Sequence, residues 1–475
     1  MPEGTLSQLL ATFAVANSYK RLPADVVDSV KARVLDSLGI CIAASALGTS
    51  QAAIAWVRTQ GGAEQATAIG LSTSVPAPQA AFTNGVLAHS LDYDDTHLPS
   101  VLHPSASVIP AALAVAQACG ADGRATIAAI AIGLEVSVRL GMAGYDRTAQ
   151  TSTFLEHGQH ATSICGTLGA GVAAGLLLGL DEGGLVNVLG VTASMASGVI
   201  EANRMGGTVK RLHCGWAAHA GVSAAQLVDL GFTGPPTVLE GRFGFFEAWL
   251  HGKFNRKEIA ENLGTQWSVP GIFFKPYPAN HFTHAVIDAV LALRAKGLRS
   301  ENVESVSVGV ATPAVRTVGE PIDVKRLPAT GYMAQFSAPF VVAAALLGGG
   351  GLGLGLDDFS DELVHDAAYL ALMAKVSVVA DAECDEIFPH QFAAVVRVRT
   401  SDGQELVEKV LSNRGSPDRP LSYDELCTKF HENASRILDA DLVEQTQNRV
   451  AQLEALDGLD ELLVPLGTIS PLRGR

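Results

Sequence analysis

Residues 89–105 concentrate ionisable side chains in a chain that is otherwise rich in Ala, Gly, Leu and Val. The stretch reads HSLDYDDTHLPSVLHPS and contains three histidines and three aspartates, namely His89, Asp92, Asp94, Asp95, His97 and His103. Histidine exchanges protons near neutral pH. His103 stands before Pro104, a residue suited to the first turn of a helix, and free N–H groups at a helix start favour an anion. The pattern indicates an acid–base site for an anionic small molecule.

Two other interpretations of this stretch remain open. The aspartates could cap helices in a polar loop, although capping uses one or two such residues rather than six ionisable groups. His and Asp also bind zinc or manganese. Adjacent Asp94 and Asp95 point in different directions on any regular backbone, however, so no metal ligands are expected. If the helix predicted over residues 78–91 continues, His89 and Asp92 lie on one face.

Three other segments place similar groups beside predicted helix starts. They contain, in chain order, His157 and His160; Lys210, Arg211 and His213; and Lys275. Each segment alone fits a solvated lysine or a histidine at a helix cap. Together they indicate several loops that deliver cations and titratable histidines to one site for a polyanionic small molecule.

Length, composition and charge limit the class of protein. A chain of 475 residues exceeds one ordinary core, so two domains are expected. The net charge of −15 disfavours nucleic acid or an anionic membrane as a partner. The first residues have an acid where a signal peptide needs positive charge, and the pattern there predicts an ordinary helix. Six scattered cysteines indicate reduced thiols in a cytoplasmic protein.

Apolar residues at helical spacing run through most of residues 1–265, where only residues 65–70 suggest a strand. Beyond Trp267, alternating patterns predict three strands, over residues 303–312, 375–381 and 393–400. The last strand is followed by SDG and a further alternating segment, which predicts a hairpin. The uncharged stretch from Ser337 predicts a buried helix that ends in a glycine turn. The glycines of this turn have the G-x-G-x-x-G spacing of a dinucleotide site, but no βαβ unit is predicted around them, and such a site needs one.

These elements predict a mainly α protein with two domains. A large all-helical domain formed by both chain ends covers residues 1–265 and 405–475, and an inserted smaller α+β lid domain covers residues 266–404. Clefts between domains are favoured ligand sites. We therefore expect Lys275 to face the helical domain across such a cleft.

Ordered sequence blocks resemble the MmgE/PrpD family along nearly the whole chain. They include NGVLAHSLDYDDTH, HATSICGTLGAGVAAGLLLGLD, GGTVKRLHCGWAAHAGVSAAQL, KPYPANHFTHAVIDA and AQFSAPFVVAAALL. The family includes 2-methylcitrate dehydratase, cis-aconitate decarboxylase and iminodisuccinate epimerase. The resemblance implies a helical domain with an α+β lid, a homodimer and no cofactor.

The resemblance also implies site residues. The positions that line the family's pocket correspond to Asp92, Thr96, His103, His160, Lys210 and Lys275. His103 and His160 would act as base and acid, the two lysines would hold carboxylates, Asp92 would orient a histidine and Thr96 would donate a hydrogen bond. We add Asp94, His89 and Arg211 as substrate-binding residues. A tyrosine in the lid helix of some decarboxylases corresponds to Phe340.

The implied reactions share one difficult step, which makes or quenches a carbanion beside a carboxylate. We expect a cofactor-independent lyase that dehydrates a hydroxylated di- or tricarboxylate similar to 2-methylcitrate. The alternatives are an isomerase or epimerase, or a decarboxylase, of a related acid such as aconitate or iminodisuccinate, and a non-catalytic protein that binds small acids. The expected setting is a cytoplasmic homodimer without nucleic-acid or membrane partners.

Overall fold

Two compact units make up the chain in the computed structural model, which describes residues 4–202 and 207–469. The first unit contains Met1–Ile272 and Asn433–Arg475, and the second contains Phe273–Glu432. Helices dominate both units, and the sheets are small. The mainly α fold predicted from the sequence is confirmed.

In the part of the first unit that the structure describes, helices are joined by loops with one short strand pair and a few isolated bridges. Its helices are α1 (Leu6–Ala16), α2 (Ala24–Ala44), α3 (Gly48–Gln60), α4 (Ala77–Ala88), α5 (Ser105–Cys119), α6 (Gly123–Ala143), α7 (Thr153–Glu156), α8 (Ala161–Leu177), α9 (Glu182–Met195), α10 (Val209–Asp229), α11 (Phe245–Leu250) and α12 (Arg256–Ala260). Strands β1 (Tyr145–Asp146) and β2 (Thr151–Ser152) pair antiparallel. The strand predicted over residues 65–70 is wrong: Ala66 and Val75 form an isolated bridge, and Gly70 turns the chain at φ 81°.

Glycines let the central helices of this unit touch backbone to backbone. A Cβ on Gly85 of α4 would lie 2.8 Å from the Cα of Gly215 in α10. A Cβ on Gly133 of α6 would lie 2.7 Å from the carbonyl oxygen of Gly169 in α8. These approaches explain why the sequence favours Ala and Gly over large side chains. They also bring the end of α4 beside the start of α10.

Helix α6 has the length and apolar composition of a membrane-spanning helix. Of its most apolar window, 89% is buried inside the protein. It packs against α8 and belongs to the core of the first unit. Helices α2 and α3 meet at a bend, and they reach this length and apolar composition only when they are counted together as one segment.

The second unit is built on a four-stranded sheet in the order β4-β3-β5-β6. Its strands are β3 (Val303–Val310), β4 (Val376–Ala380), β5 (Ala394–Thr400) and β6 (Glu405–Val410). The β3–β4 pair is parallel, and the other two pairs are antiparallel. Its helices are α13 (His284–Ala295), α14 (Thr312–Val318), α15 (Ile322–Arg326), α16 (Gly331–Ala334), α17 (Ala338–Leu347), α18 (Ala367–Met373) and α19 (Ala382–Ile387).

The structure confirms the three strands and the hairpin predicted for this unit. The helix predicted after Ser337 is α17, which is buried and ends where the glycine run begins. The backbone amides of Gly349, Gly350 and Gly355 donate to the carboxylate of Asp358 at 2.8–3.1 Å. The glycine run is therefore a turn folded around a carboxylate of the chain itself.

The bounds of the units differ from those predicted. Strand β6 pairs with β5, so residues 405–432 belong to the second unit rather than to the helical one. The chain returns to the first unit within α20 (Tyr423–Ala434) and continues into α21 (Ala440–Ala451) and α22 (Asp460–Gly467). The helical pattern of α20 predicts an element but does not say which core it joins.

The contact between α4 and α10 predicts the effect of a single methyl group. A Cβ on Gly215 would lie 2.5 Å from the carbonyl oxygen of Phe82 and 2.5 Å from Val86 Cγ2. We expect Gly215→Ala to lower the free energy of unfolding by about 1–3 kcal/mol, measured by urea titration. Gly48→Ala is the control, because Gly48 has no neighbour within 4 Å of an added Cβ. Equal stability of both variants would contradict the close contact.

Candidate active site

The loop between α4 and α5 carries the predicted site residues. Helix α4 ends at Ala88, so His89 and Asp92 do not share a helical face as expected. Asp92 itself adopts φ 52°, a left-handed conformation that helical residues do not have, so it lies outside any continuation of α4. His97 and Leu102 form an antiparallel bridge that closes the rest of the loop.

Asp95 ties this loop to α2 and to the start of α5. Its Oδ2 lies 2.6 Å from Nη1 of Arg33, and the pair is almost fully buried. Ser105, the first residue of α5, donates its Oγ–H at 2.5 Å and its backbone N–H at 3.3 Å to the same carboxylate. The anion predicted at this helix start is therefore a side chain of the protein and not a ligand. Arg33 Nη2 also donates to the carbonyls of Val269 and Ile272.

His103 has a fixed orientation. Its Nδ1 lies 2.7 Å from the backbone oxygen of Asp95. A carbonyl only accepts, so Nδ1 carries a hydrogen and Nε2 is the ring's other proton-transfer atom. Thr96 Oγ1 lies 3.3 Å and Asp94 Oδ2 lies 3.7 Å from the same Nδ1. The backbone N–H of His103 donates to Thr162 Oγ1, which fastens the loop to α8.

His89 is a buried cation at the centre of the histidines. Its Nδ1 lies 2.7 Å from Asp94 Oδ2, and its ring centroid lies 5.2 Å from that of His103 and 5.6 Å from that of His160. Burial alone would lower the pKa of His89, but Cys214 and the Asp94 carboxylate outweigh it and raise the pKa to about 10. The ring is therefore charged at neutral pH. Asp94 orients this ring, and the orienting role assigned to Asp92 stays a prediction.

His160 and His213 form a second pair of imidazoles. His160 directly precedes α8, His213 lies in the second turn of α10, and their Nδ1 atoms are 2.9 Å apart. Burial and then the charges of His89 and Lys210 lower the pKa of His213 to about 4. Burial, His89, His213, Lys210 and His103, in that order, hold the pKa of His160 well below its usual value. Both rings are neutral at pH 7. The sequence segment included His213, but its pairing with His160 was not predicted.

Two of the predicted cations lie beside the same loop. Lys210 Nζ is 3.2 Å from Asp92 Oδ1, and Arg211 Nε donates to the backbone oxygen of Ser90. Residues 203–206, at the start of the segment that carries these cations, lie outside the described residues. Lys275 is a buried residue of the second unit. Its predicted position facing the helical domain remains a prediction.

Most of the predicted site residues meet within the first unit. They are His89, Asp92, Asp94, Thr96, His103, His160, Lys210 and Arg211. In residues 4–202 and 207–469, no group of three or more His, Cys, Asp and Glu side chains is arranged to hold a metal ion. Asp94 and Asp95 point to His89 and Arg33 respectively, and all six cysteines are free thiols. The cluster is equipped for proton transfer beside positive charge.

Comparison with known proteins identifies the family of this chain. Residues 8–257 match the MmgE/PrpD N-terminal domain, and residues 277–455 match the MmgE/PrpD C-terminal domain. The chain belongs to the MmgE/PrpD family. The resemblance inferred from the sequence blocks is thereby confirmed.

Several relatives within the MmgE/PrpD family carry a name that describes an activity. A cis-aconitate decarboxylase of Homo sapiens is 30% identical over 84% of this chain and 81% of its own. A cis-aconitate decarboxylase of Aspergillus terreus is 25% identical over 93% of this chain and 92% of its own. A cis-aconitate decarboxylase-like protein of Aspergillus oryzae is 26% identical over 97% of both chains.

The ion pair of Arg33 and Asp95 predicts a large effect on the stability of this MmgE/PrpD protein. Arg33→Met leaves the Asp95 carboxylate buried without its cation, and we expect a loss of about 3–5 kcal/mol in the free energy of unfolding. Arg147→Met is the matched control, because Arg147 pairs with Glu258 but is 69% exposed. That change should cost less than about 1 kcal/mol in the same denaturant titration. Comparable losses would rule out a special role for the buried pair.

The charge on His89 predicts a pH dependence. The pKa of His89 is raised from 6.5 to about 10 in the folded protein, so its charged form stabilises the fold fully below pH 6.5. This contribution should disappear as the pH rises towards 10. We expect the difference in unfolding free energy between the wild type and His89→Gln to fall steadily from pH 7 to pH 10. A difference that stayed constant over this range would mean that His89 is neutral.

Proposed function

We propose that this chain is a cofactor-independent lyase that decarboxylates an unsaturated tricarboxylate of the cis-aconitate type. The observation that carries the proposal is the histidine cluster: neutral His160 and the fixed ring of His103 flank the charged ring of His89. Lys210 adds a second positive charge beside them. The names of the relatives support decarboxylation as the reaction.

The cluster matches the charge and proton changes of such a reaction. When the bond to the leaving carboxylate breaks, its electron pair forms a new carbon–carbon double bond. The pair of the former double bond moves to the carbon beside another carboxylate, and that carbon takes one proton. Positive charge from His89 and Lys210 stabilises the electron density that develops there. A neutral imidazole with an N–H at Nε2 can supply the proton, and we assign this role to His160.

Dehydration of a hydroxylated di- or tricarboxylate is the second candidate. It needs a base for a carbon-bound proton as well as an acid for the departing hydroxyl, and two histidines can fill these roles. The residue that favours it is Phe340. This side chain is fully buried in the second unit and packs against Phe359 and Tyr369, so it offers no hydroxyl where some decarboxylases have a tyrosine.

We further propose that the protein works as a homodimer in the cytoplasm. The six free thiols support a reducing compartment. The homodimer rests on the family resemblance.

A panel of polycarboxylates in D₂O tests the reaction. Decarboxylation should release one CO₂ per molecule of an unsaturated tricarboxylate and place one deuterium on a carbon of the product. A new alkene absorbance from a hydroxy acid would indicate dehydration instead, and deuterium uptake without net conversion would indicate an epimerase. Binding without any of these changes would overturn the catalytic proposal.

Single substitutions assign the residues. We expect His160→Ala and His103→Ala each to lower kcat by about 10²–10⁴-fold with little change in substrate affinity, because each removes a proton-transfer group. Lys210→Ala should also weaken binding, since it leaves a substrate carboxylate without its cation. His390→Ala is the control, because His390 is an exposed histidine of the second unit. Near-normal turnover of both histidine variants would make the pair structural.

A further inference from the structure

The hydrogen bond between His160 and His213 joins the proposed proton donor to a second ring. The two Nδ1 atoms are 2.9 Å apart, and each residue is at most 7% exposed. Ser163 in α8 donates its hydroxyl to the backbone oxygen of His213 at 3.0 Å, which fixes α10 against α8 at this point. The packing of α10 against α8 therefore holds the two rings at this distance.

The charges around the pair determine how many protons it holds. His89 follows α4, His103 precedes α5 and Lys210 lies one turn before His213 on α10, and all three contribute positive charge or can gain it. These groups and burial disfavour a charged imidazole in the pair. Two neutral rings joined at Nδ1 hold one hydrogen between them, so one ring donates and the other accepts. The accepting ring then carries its own hydrogen on Nε2.

We propose that His213 is a positioning residue that relays a solvent proton to His160 through their Nδ1–Nδ1 hydrogen bond. This inference rests on the proposed function, in which His160 protonates a substrate carbon. It gives a role to His213, a residue behind the donor whose pairing with His160 the sequence did not predict.

The relay conserves protons and electrons at each step. The Nε2–H bond of His160 breaks and its proton goes to the substrate carbon, while the Nδ1–H proton of His213 moves to Nδ1 of His160. In the same step His213 Nε2 takes one proton from water and leaves hydroxide, so that neither ring passes through an imidazolate. Both rings end neutral with their hydrogens exchanged between Nδ1 and Nε2. The pair resets when His160 Nε2 takes up a proton in the open site and the same transfers run outward.

The relay explains how a neutral histidine can act as an acid. A lone imidazole that gave up its Nε2 proton would become an imidazolate, which is far too basic to form in ordinary catalysis. With His213 behind it, His160 receives a proton at Nδ1 while it loses one at Nε2. The positive groups that keep the pair neutral therefore do not prevent it from donating.

The variant His213→Asn separates a relay from a structural role. Its amide can still donate a hydrogen bond to Nδ1 of His160, but it cannot pass a proton on. We expect the single-turnover rate to fall by about 10²-fold with unchanged substrate affinity. The control is His219→Asn on the same helix, since His219 stacks on Trp216 outside the cluster and should retain the wild-type rate. Thermal unfolding of each variant checks that the fold is intact.

A proton inventory in mixtures of H₂O and D₂O gives a readout that a structural residue would not change. The wild-type single-turnover rate should depend on deuterium content along a curve, as two moving protons require, and the His213→Asn rate should depend on it linearly. A wild-type rate in His213→Asn, or the same inventory shape in both proteins, would overturn the relay.

Two further results distinguish failure of the relay from failure of the proposed function. If the wild type converts no polycarboxylate and exchanges no deuterium, the proposed function fails, and the relay fails with it. If the wild type is active and His160→Ala is not, while His213→Asn behaves as the wild type, only the relay fails. A ¹⁵N scalar coupling between the two Nδ1 atoms tests the hydrogen bond without any substrate, and its absence would also overturn the relay.

Discussion

The carboxylate of Asp95 is the buried charge on which the arrangement of the site depends. An unpaired carboxylate in this environment would be costly, and the fold satisfies it with the guanidinium of Arg33 and two donors of Ser105. The backbone carbonyl of the same residue holds the ring of His103. One residue thus anchors the loop, begins α5 and fixes a histidine. Because Arg33 also binds the carbonyls of Val269 and Ile272, the same network reaches the end of the first segment of the helical unit.

The electrostatic surroundings of the clustered histidines then give these identical side chains different charges. His89 is held as a cation by Asp94, and its charge helps to keep His160 and His213 neutral. His103 is oriented by the carbonyl of Asp95 at 2.7 Å, and the Asp94 carboxylate lies 3.7 Å from the same nitrogen. The roles follow from the partners of each ring and not from the residue type. A cluster of histidines can therefore contain a fixed charge and neutral proton carriers side by side.

The sequence predicted the elements and the general location of the site better than its internal contacts. Alternation marked β3, β4 and the β5–β6 hairpin, and the density of ionisable groups marked residues 89–105, because both signals are local. The contact of Arg33 with Asp95 joins residues far apart in sequence, so no local pattern could predict it. One signal was available for a buried ion pair, although it does not identify Asp95: Arg33 lies within the apolar pattern of α2, and an arginine buried there needs a partner. The predicted helix extended to residue 91, beyond the end of α4 at Ala88, because hydrophobic spacing carries no signal for the non-helical backbone that follows.

The contact of Gly85 with Gly215 has a consequence for how such a site can diversify. At that point the spacing of the two helices is set by backbone atoms, which no change of rotamer can alter. The last turn of α4, which His89 follows, and the turn of α10 that carries His213 therefore keep their spacing when residues of the surrounding loops are substituted. Substitution of a loop residue such as Thr96, which lies between α4 and α5, leaves this helix contact unchanged. A scaffold of this kind allows the loops to vary while the helices beside the histidines keep their spacing.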